Sequence, residues 1–265
     1  MSFNDDVTRH LSLYKEHSLG VFENGIYRHR GKEITRSYIL PNGYWERNFP
    51  ADFDFFIKDN TLFLGTLPPI SLHRYWYHLN SSQVLCISYF YEFIKDRALL
   101  CSLCEYLGVG APVSACFELV ENKNEGTSVD FAIMLENGGR VYFEIKYTEQ
   151  IFGSASSALG KRDFEQTREY YLGRKSRFYS SVDISDNDYL KHYQVVRNIS
   201  LCPKSSGNKT VFLIPKANTG VCDSLYSGLG AIRNLDGFNY EVVFWEELLE
   251  KLPSKWVFEK YFDLK

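Results

Sequence analysis

The sequence predicts an α/β protein of the α+β kind, in which a mixed sheet with flanking helices follows the order αβββαβ. Three observations predict it. Residues 82–107 carry an apolar helical pattern, and residues 128–148 have the pattern of a two-stranded hairpin. Residues 187–202 form a second helical pattern, which leads into the strand pattern at 210–216. We expect residues 71–265 to form this core, with a basic insertion at about 154–186.

Residues 1–70 are predicted to form an N-terminal helix and a β-rich extension. Residues 1–18 have amphipathic spacing, with Val7, Leu11 and either Leu13 or Tyr14 facing inward. Strand patterns follow between residues 20 and 66, separated by Gly, Asn and Pro. One of them interleaves basic residues with Tyr27 and Tyr38. Such a strand can follow a phosphate backbone, and the alternative is a solvated strand face. The basic residues of this strand are Arg28, His29, Arg30, Lys32 and Arg36.

Composition excludes some classes of function. The net charge is −3, so no global basic field indicates a nucleic-acid partner. No apolar run approaches the roughly 20 residues of a membrane span, and the polar N-terminus does not resemble a signal peptide. We therefore expect a cytoplasmic protein without a membrane partner. Six cysteines in apolar surroundings indicate reduced thiols, and the Cys101–Cys104 pair has no second pair at zinc-finger spacing.

The helix predicted from residue 82 begins at a capping residue, which is Asn80, Ser81 or Ser82. Gly108 ends it. Gln83 falls in the first turn, where its amide could point at a metal-bound water or a phosphate. The alternative is a solvated amide at the start of a helix.

The predicted hairpin carries charges on otherwise apolar strands. Its turn is expected at residues 137–139, where positive φ is favourable for glycine. On the return strand Glu144 and Lys146 share one face, because side chains alternate with period two. A three-residue loop at 137–139 places Asp130 opposite Lys146, with Glu144 on the diagonal. A loop with an even number of residues would put Asp130 on the other face, unless a bulge restored it.

Two carboxylates and a lysine on one face suit a hard divalent cation. Asp130 and Glu144 are predicted to bind Mg²⁺, with Mn²⁺ as a substitute. The metal would polarise a phosphoryl oxygen and lower the pKa of a bound water, and Lys146 would orient or help to deprotonate that water. The alternative is a surface hairpin whose charged residues form cross-strand pairs.

The spacing of Asp130 and Glu144-Ile145-Lys146 resembles the D…ExK signature of the PD-(D/E)XK nuclease superfamily, with Val129 in place of the proline. Three further stretches are similar to a restriction-endonuclease-like family within it: HLNSSQ from residue 78, EIKYTE from residue 144 and YQVVRN from residue 193. The resemblance covers about residues 70–250. It implies a restriction-endonuclease-like core that hydrolyses DNA in line, with the 3′ oxygen leaving.

Two glutamines compete for one position in the resemblance. Gln166 and Tyr170 match the QxxxY motif of RecB-like members literally. Gln194 lies on the helix that leads directly into the strand at 210–216, where the topology of the superfamily places the corresponding helix. We prefer Gln194, with Arg197 or Asn198 beside it, and assign Gln166 to the insertion.

The insertion contains the strongest local basic patch. Residues 161–179 hold six Lys or Arg against three Asp or Glu, with five aromatics among them. Basic and aromatic interleaving suits a surface that follows a nucleic-acid backbone. The alternative is an amphipathic surface helix with ion pairs. The predicted nucleic-acid-binding residues are Arg168, Arg174, Lys175, Arg177 and Arg197.

Together these features predict a Mg²⁺-dependent endodeoxyribonuclease, of the type II restriction kind or a related defence nuclease, that cuts double-stranded DNA. The predicted catalytic residues are Asp130, Glu144, Lys146, Gln83 and Gln194. By analogy we expect a homodimer and a cognate DNA methyltransferase. The alternatives are a catalytically silent nucleic-acid-binding protein of the same fold and an enzyme for a small ligand. The second is disfavoured because no Gly-rich phosphate loop or Ser–His–Asp set is present.

Overall fold

The structure of the protein is a computed structural model that describes residues 2–155 and 164–264. The chain forms two compact units, one made of Met1–Leu103 with Glu246–Lys265 and the other of Cys104–Trp245. The predicted division at residue 70 stays a prediction. The stretch 156–160, predicted to be mobile or turn-like, and the basic residues Lys161 and Arg162 lie outside the described residues.

The first unit begins with a helix and two small separate sheets. Ser2 and Asp5 form a capping box at the start of the helix, and Val7 and Leu11 are buried as predicted. Of the two alternatives for the third inward residue, Leu13 is exposed and Tyr14 is half-buried. A two-stranded sheet and a three-stranded antiparallel sheet follow. The elements are α1 (Phe3–His17), β1 (Gly25–His29), β2 (Lys32–Arg36), β3 (Phe55–Lys58), β4 (Thr61–Leu64) and β5 (Ile70–Ser71).

The prediction of a single helix over residues 82–107 is wrong. The structure has two helices there, α2 (Ser82–Lys95) and α3 (Arg97–Tyr106). Ser81 caps α2 by accepting a hydrogen bond from the Val84 N–H. Asp96 adopts an extended conformation between the helices, and its Oδ1 accepts from the N–H groups of Ala98 and Leu99. The aspartate therefore ends one helix and caps the next, which apolar periodicity alone does not reveal.

The second unit is built on a five-stranded sheet in the order β10-β9-β8-β7-β6. Within this sheet, β6, β7 and β8 pair antiparallel. β9 pairs parallel with β8, and β10 pairs parallel with β9. This is the mixed sheet with flanking helices that the sequence predicts, and the fold class is confirmed. The strands are β6 (Pro112–Leu119), β7 (Val129–Leu135), β8 (Arg140–Ile145), β9 (Lys209–Ile214) and β10 (Tyr240–Phe244).

The helices after β8 differ from the prediction at two places. The helix expected over 187–202 is interrupted at His192, which has a non-helical conformation, φ −119° and ψ 30°. The long loop expected between the last two strands contains a helix capped by Asn218. The helices are α4 (Phe164–Phe178), α5 (Asp186–Lys191), α6 (Tyr193–Ser200), α7 (Thr219–Gly230), α8 (Trp245–Lys251) and α9 (Lys255–Val257), followed by a π-helical turn (Phe258–Phe262).

A hydrophobic cluster fixes α6 in the second unit. Val195, Val196 and Ile199 of α6 belong to one buried cluster with Phe212 and Ile214 of β9. Each large apolar side chain buried in this way contributes about 1.5–3 kcal/mol. Because the apolar positions of α6 are committed to this cluster, its polar residues 197 and 198 are carried to a fixed place beside β8.

Two smaller expectations concern the cysteines and the membrane. All six cysteines are free thiols, and Cys86, Cys104 and Cys202 are buried. Within the described part of the chain, every helix falls short of the length and hydropathy needed to cross a membrane.

Candidate active site

The β7–β8 hairpin brings the two predicted carboxylates together. Phe131 pairs with Phe143, so the next pair in the same register is Asp130 opposite Glu144. Directly opposite residues share a face, with Cβ atoms about 4.5–5.5 Å apart. The loop has an odd number of residues, as expected, but the register predicted with Asp130 opposite Lys146 is wrong by two residues.

The turn explains the difference in register. Gly138 has φ +82°, and its N–H donates to the Leu135 carbonyl oxygen at 3.0 Å, while the Leu135 N–H donates to the Gly139 carbonyl oxygen at 2.9 Å. The loop is therefore 136–138, a three-residue turn with its left-handed residue last. Gly139 is needed for a different reason, since a Cβ there would collide with the Gly207 carbonyl. A shift of two residues keeps every side chain on its predicted face.

Glu144 lies at the centre of a buried polar cluster. Its Oε1 accepts a hydrogen bond from Lys146 Nζ at 2.6 Å. Its Oε2 accepts from Arg197 at 2.5 Å and from the Asn198 side-chain amide at 2.8 Å. The Glu144 side chain is only 3% exposed. The strand therefore supplies Glu144 and Lys146, and α6 supplies the other two donors.

A family model matches nearly the whole chain. The REase-ARP family, described as Restriction Endonuclease associating with ARP, matches residues 8–263. The chain belongs to this family. No curated protein and no solved structure matches it.

The two carboxylates of this REase-ARP chain have opposite electrostatic environments. Burial raises the pKa of Asp130, and the neighbouring charge of Glu144 raises it further. Burial acts in the same direction on Glu144, but the charges of Lys146 and Arg197 outweigh it and lower the pKa of Glu144. Glu144 is therefore held as an anion between two cations, while Asp130 carries the cost of the repulsion between the carboxylates.

A third acidic residue, Glu118, lies on the strand next to Asp130. Phe117 pairs with Phe131 and Leu119 with Val129, so Glu118 of β6 lies level with Asp130 on its other side. Glu118 has a left-handed φ of +50°, and its Oε2 accepts from Ser128 Oγ at 2.6 Å. Its charge adds to the pKa increase of Asp130.

The residues fit a divalent cation in part. Within the described ranges, no group of three or more His, Cys, Asp or Glu side chains is close enough to hold a metal ion. A metal here would depend on Asp130 and Glu144, with water and phosphate oxygens completing the shell, as is usual for Mg²⁺. The two carboxylates repel each other, which a cation between them would relieve. Oε1 of Glu144 would have to contact the cation as well as the Lys146 ammonium.

Gln194 contacts the segment that follows β8. Its Oε1 accepts from the Gly153 N–H at 3.1 Å, and its own N–H donates to the Gly153 carbonyl oxygen at 3.2 Å. A Cβ at Gly153 would collide with the Gln194 side chain. The first turn of α6 and the Phe152-Gly153 segment are thereby tied together. The predicted catalytic role of Gln194 stays a prediction, and the structure gives this residue a positioning contact.

The other two glutamines lie elsewhere. Gln83 belongs to the first unit, where its Oε1 accepts from the His73 N–H and its amide nitrogen donates to the Ser71 carbonyl oxygen. These two bonds join residues 71–73 to the start of α2. The catalytic role of Gln83 also stays a prediction. Gln166 is exposed on α4. Of the two competing glutamines, only Gln194 lies on the helix that contacts Glu144.

Three of the five predicted nucleic-acid contacts have partners inside the protein. Arg174 forms an ion pair with Glu125 and donates to its carbonyl oxygen at 2.7 Å. Lys175 donates to the Ile184 carbonyl oxygen and to Asp186, both at 2.7 Å. Arg197 is bound to Glu144. For Arg174 and Arg197 the geometry favours structural roles, because direct phosphate contacts would break buried ion pairs. The Lys175–Asp186 pair is more exposed. Arg168 is half-buried and Arg177 exposed, and their assignment stays a prediction.

The sequence did not single out Glu125, which is the centre of a second buried cluster. Its Oε1 accepts from Arg174, from Tyr179 at 2.5 Å and from Tyr193 at 3.2 Å. Its Oε2 accepts from the Thr127 N–H at 2.9 Å. These bonds join α4, the start of α6 and the loop before β7. No local signal marks this cluster, because Arg174, Tyr179 and Tyr193 lie 49 to 68 residues away from Glu125 in the chain.

Proposed function

We propose that this REase-ARP chain is a metal-dependent endodeoxyribonuclease of the restriction type that hydrolyses phosphodiester bonds of double-stranded DNA. The observation that carries the proposal is the meeting of Asp130, Glu144 and Lys146 at one end of the β7–β8 hairpin, beside α6. Membership of a restriction-endonuclease family supports a nuclease role. The PD-(D/E)XK assignment of the three residues is part of the proposal.

Each residue would have a distinct role. Asp130 and Glu144 would hold Mg²⁺, or Mn²⁺ in its place, and the bound metal would polarise a phosphoryl oxygen and lower the pKa of a water. The Lys146 ammonium would orient the attacking water and offset the charge that develops on the phosphate. Arg197 and Asn198 hold Oε2 of Glu144, so that Oε1 keeps its direction toward Lys146.

A catalytically silent nucleic-acid-binding protein is the second candidate. One observation favours it: both oxygens of Glu144 already accept hydrogen bonds from side chains of the protein. A carboxylate whose two oxygens are both bonded in this way can serve stability alone. The two candidates differ in what Mg²⁺ does to the bound DNA.

The test combines metal calorimetry with cleavage of supercoiled plasmid and of long unmethylated DNA. We expect wild-type protein to bind Mg²⁺ and to nick DNA. Lys146→Ala should retain Mg²⁺ binding, because lysine is not a metal ligand. Its cleavage rate should fall by at least about 10²-fold, because the ammonium that orients the water is gone. Asp130→Asn should lose both Mg²⁺ binding and cleavage. The substitution keeps an oxygen that can accept the hydrogen bond of the Ile145 N–H, which donates to Asp130 at 2.6 Å. Ca²⁺ should support DNA binding without cleavage.

Lys123→Ala is the matched control, since Lys123 is an exposed lysine of the same unit. Thermal unfolding of each variant shows whether it is folded. Cleavage by Lys146→Ala at the wild-type rate would make the mechanism wrong. DNA binding without Mg²⁺-dependent cleavage by wild type would favour the silent alternative. Resistance of methylated DNA to cleavage would support a cognate methyltransferase.

A further inference from the structure

The first unit carries an exposed basic ribbon, which we define as residues 25–36. It contains β1, β2 and the turn between them. Its sequence holds four Lys or Arg against one acidic residue, which gives a local charge of +3 in a chain of net charge −3. All of these charged side chains are exposed. The residues are Arg28, Arg30, Lys32, Arg36 and Glu33.

The tip of the basic ribbon is a tight turn that concentrates the charge. His29 pairs with Lys32, which leaves Arg30 and Gly31 as a two-residue loop with φ +49° and +78°. Two positive φ values in succession are typical of the type I′ turn, which keeps the twist of the two strands. Arg28 is bound to Glu33 across the strands at 2.8 Å, and that pair is exposed and screened. Arg30 and Lys32 therefore form the most cationic part of the tip.

Aromatic side chains hold the middle of the ribbon, at Tyr27 and Arg28. Tyr75 donates from its hydroxyl to the Arg28 carbonyl oxygen at 2.9 Å. Tyr27 packs edge-on against Tyr75, with ring centroids 5.5 Å apart, and against His78 at 5.0 Å. At the other end of β1, the Gly25 N–H donates to the Ile39 carbonyl oxygen at 2.9 Å. A ribbon held in this way is ordered before it binds, so binding costs less conformational entropy.

Shape and charge together select one class of partner. Two paired strands lie about 4.8 Å apart, and five residues span about 17 Å. A two-stranded ribbon of this size fits the major groove of B-form DNA, which is about 12 Å wide, whereas the major groove of duplex RNA is too narrow for side chains. Single strands are held by stacking on aromatic faces, but Tyr27 is already packed against two rings.

We propose that the basic ribbon enters the major groove of double-stranded DNA, with Arg30 and Lys32 neutralising backbone phosphates on its two sides. The choice of partner rests on the proposed nuclease function. The ribbon would supply part of the cationic surface that α4 does not, since Arg174 and Lys175 are bound inside the protein.

The test measures DNA affinity against salt concentration for the full chain carrying Asp130→Asn, which prevents cleavage. The ribbon variant is Arg30→Gln with Lys32→Gln. We expect weaker binding to a fluorescent DNA duplex, and a log–log salt slope reduced by about 0.9 for each phosphate that is no longer neutralised. The charge-matched control is Lys204→Gln with Lys251→Gln, which are exposed lysines outside the ribbon. It should change the slope little.

Each outcome supports or overturns the inference. Equal affinity and slope for the ribbon and control variants would overturn it, as would an equally large weakening of binding to duplex RNA or single-stranded DNA. Absence of any DNA binding would overturn it too. The proposed function is tested separately by a plasmid cleavage assay. There the ribbon substitutions are made in the chain that keeps Asp130. If wild type cleaves DNA and the ribbon variant binds DNA as tightly as its control, only the ribbon inference is rejected. If the ribbon substitutions selectively weaken duplex binding but wild type does not cleave DNA, only the nuclease function is rejected.

Discussion

At the scale of single residues, Glu144 shows how one strand position can combine opposing requirements. It is almost fully buried, where a lone carboxylate would be strongly destabilised. Lys146, Arg197 and Asn198 compensate by donating three hydrogen bonds to its two oxygens. Asp130 opposite it receives a hydrogen bond from the Ile145 N–H and is left to bear the repulsion.

Asn198 should matter to stability because its side-chain amide bridges Glu144 and Arg197. Its nitrogen donates to Glu144 and its Oδ1 accepts from Arg197. Asn198→Ala should lower the free energy of unfolding by about 1–3 kcal/mol in urea titrations. Asn198→Asp should cost more, because it adds a second carboxylate beside Glu144. Asn187→Ala, at an exposed asparagine, is the control. Equal stability of both Asn198 variants and wild type would contradict the cluster.

Lys260 should make stability depend on pH. Its side chain is fully buried, donating to the Asn48 carbonyl oxygen and to Oδ1 at 2.6 Å each, and burial lowers its pKa well below the ordinary value. In the unfolded chain the lysine has a pKa of about 10.4. At a pH between the lowered pKa of folded Lys260 and this value, unfolding therefore takes up a proton. Stability relative to Lys260→Met should therefore rise with pH across that interval, by at most about 1.4 kcal/mol per pH unit.

Urea titrations of Lys260→Met and wild type at several alkaline pH values measure this difference. Lys251→Met, at an exposed lysine, should show no such pH dependence relative to wild type. A difference between wild type and Lys260→Met that stays constant with pH would mean that Lys260 keeps its ordinary pKa when buried.

At the scale of elements, the β7–β8 hairpin and α4 illustrate how backbone geometry and buried charge assign roles. Gly138 supplies the left-handed position of the turn, which sets the register that places Asp130 opposite Glu144. α4 carries many basic residues, yet Arg174 is directed at Glu125 and two tyrosines rather than at solvent. The element is held to the rest of its unit by that charge.

Two glycine substitutions should have opposite effects. Gly138→Ala should lower stability by about 1–2 kcal/mol, because an L side chain is strained at φ +82°. Gly138→Asn should cost less, since asparagine tolerates this conformation. Gly173→Ala lies within α4 with open space around its Cβ and should stabilise by about 0.5–1 kcal/mol. Thermal and urea unfolding of the three variants distinguish strain from propensity, and destabilisation by Gly173→Ala would count against this account of α4.

Arg174→Ala should act on stability rather than on DNA binding. Removing the guanidinium leaves the buried Glu125 carboxylate without its ion-pair partner, at a cost of about 3 kcal/mol. The salt slope of DNA binding should stay at the wild-type value. Arg177→Ala, at an exposed arginine of the same helix, should leave stability nearly unchanged. A reduced salt slope for Arg174→Ala with unchanged stability would restore its sequence-based assignment as a DNA contact.

At the scale of the whole molecule, each chain supplies one Asp130–Glu144 pair within its described residues, which suits the cleavage of one strand at a time. Cutting both strands of a duplex at one site would then need two chains related by symmetry. The net charge of −3 means that DNA is not attracted by the chain as a whole. Local surfaces such as the basic ribbon would have to provide the attraction.

We expect double-strand breaks to require dimerisation. In plasmid cleavage, nicked product should form at protein concentrations at which the chain is a monomer, and linear product should follow as the dimer forms. Analytical ultracentrifugation over the same concentrations, with and without DNA, measures that transition. Linear product at concentrations where only monomer is present would contradict a homodimeric mechanism.

By itself the sequence determined the features that depend on local periodicity. Alternation along β8 put Glu144 and Lys146 on one face, and the odd loop put Asp130 on that face as well. Apolar spacing predicted α1 and the mixed sheet. The predictions of α1 and of the β7–β8 hairpin succeeded because each depends on residues that are near in the chain, where geometry leaves few choices.

Only the tertiary structure decided the partners of the charged groups. The register moved by two residues because Gly138, rather than Gly139, took the left-handed position, while Gly139 met the backbone of Gly207. Arg197, which is predicted to contact DNA, donates a hydrogen bond to Glu144, which lies 53 residues away in the chain. Charges choose partners by distance in space and by the cost of burial, and neither quantity can be read from positions along the chain.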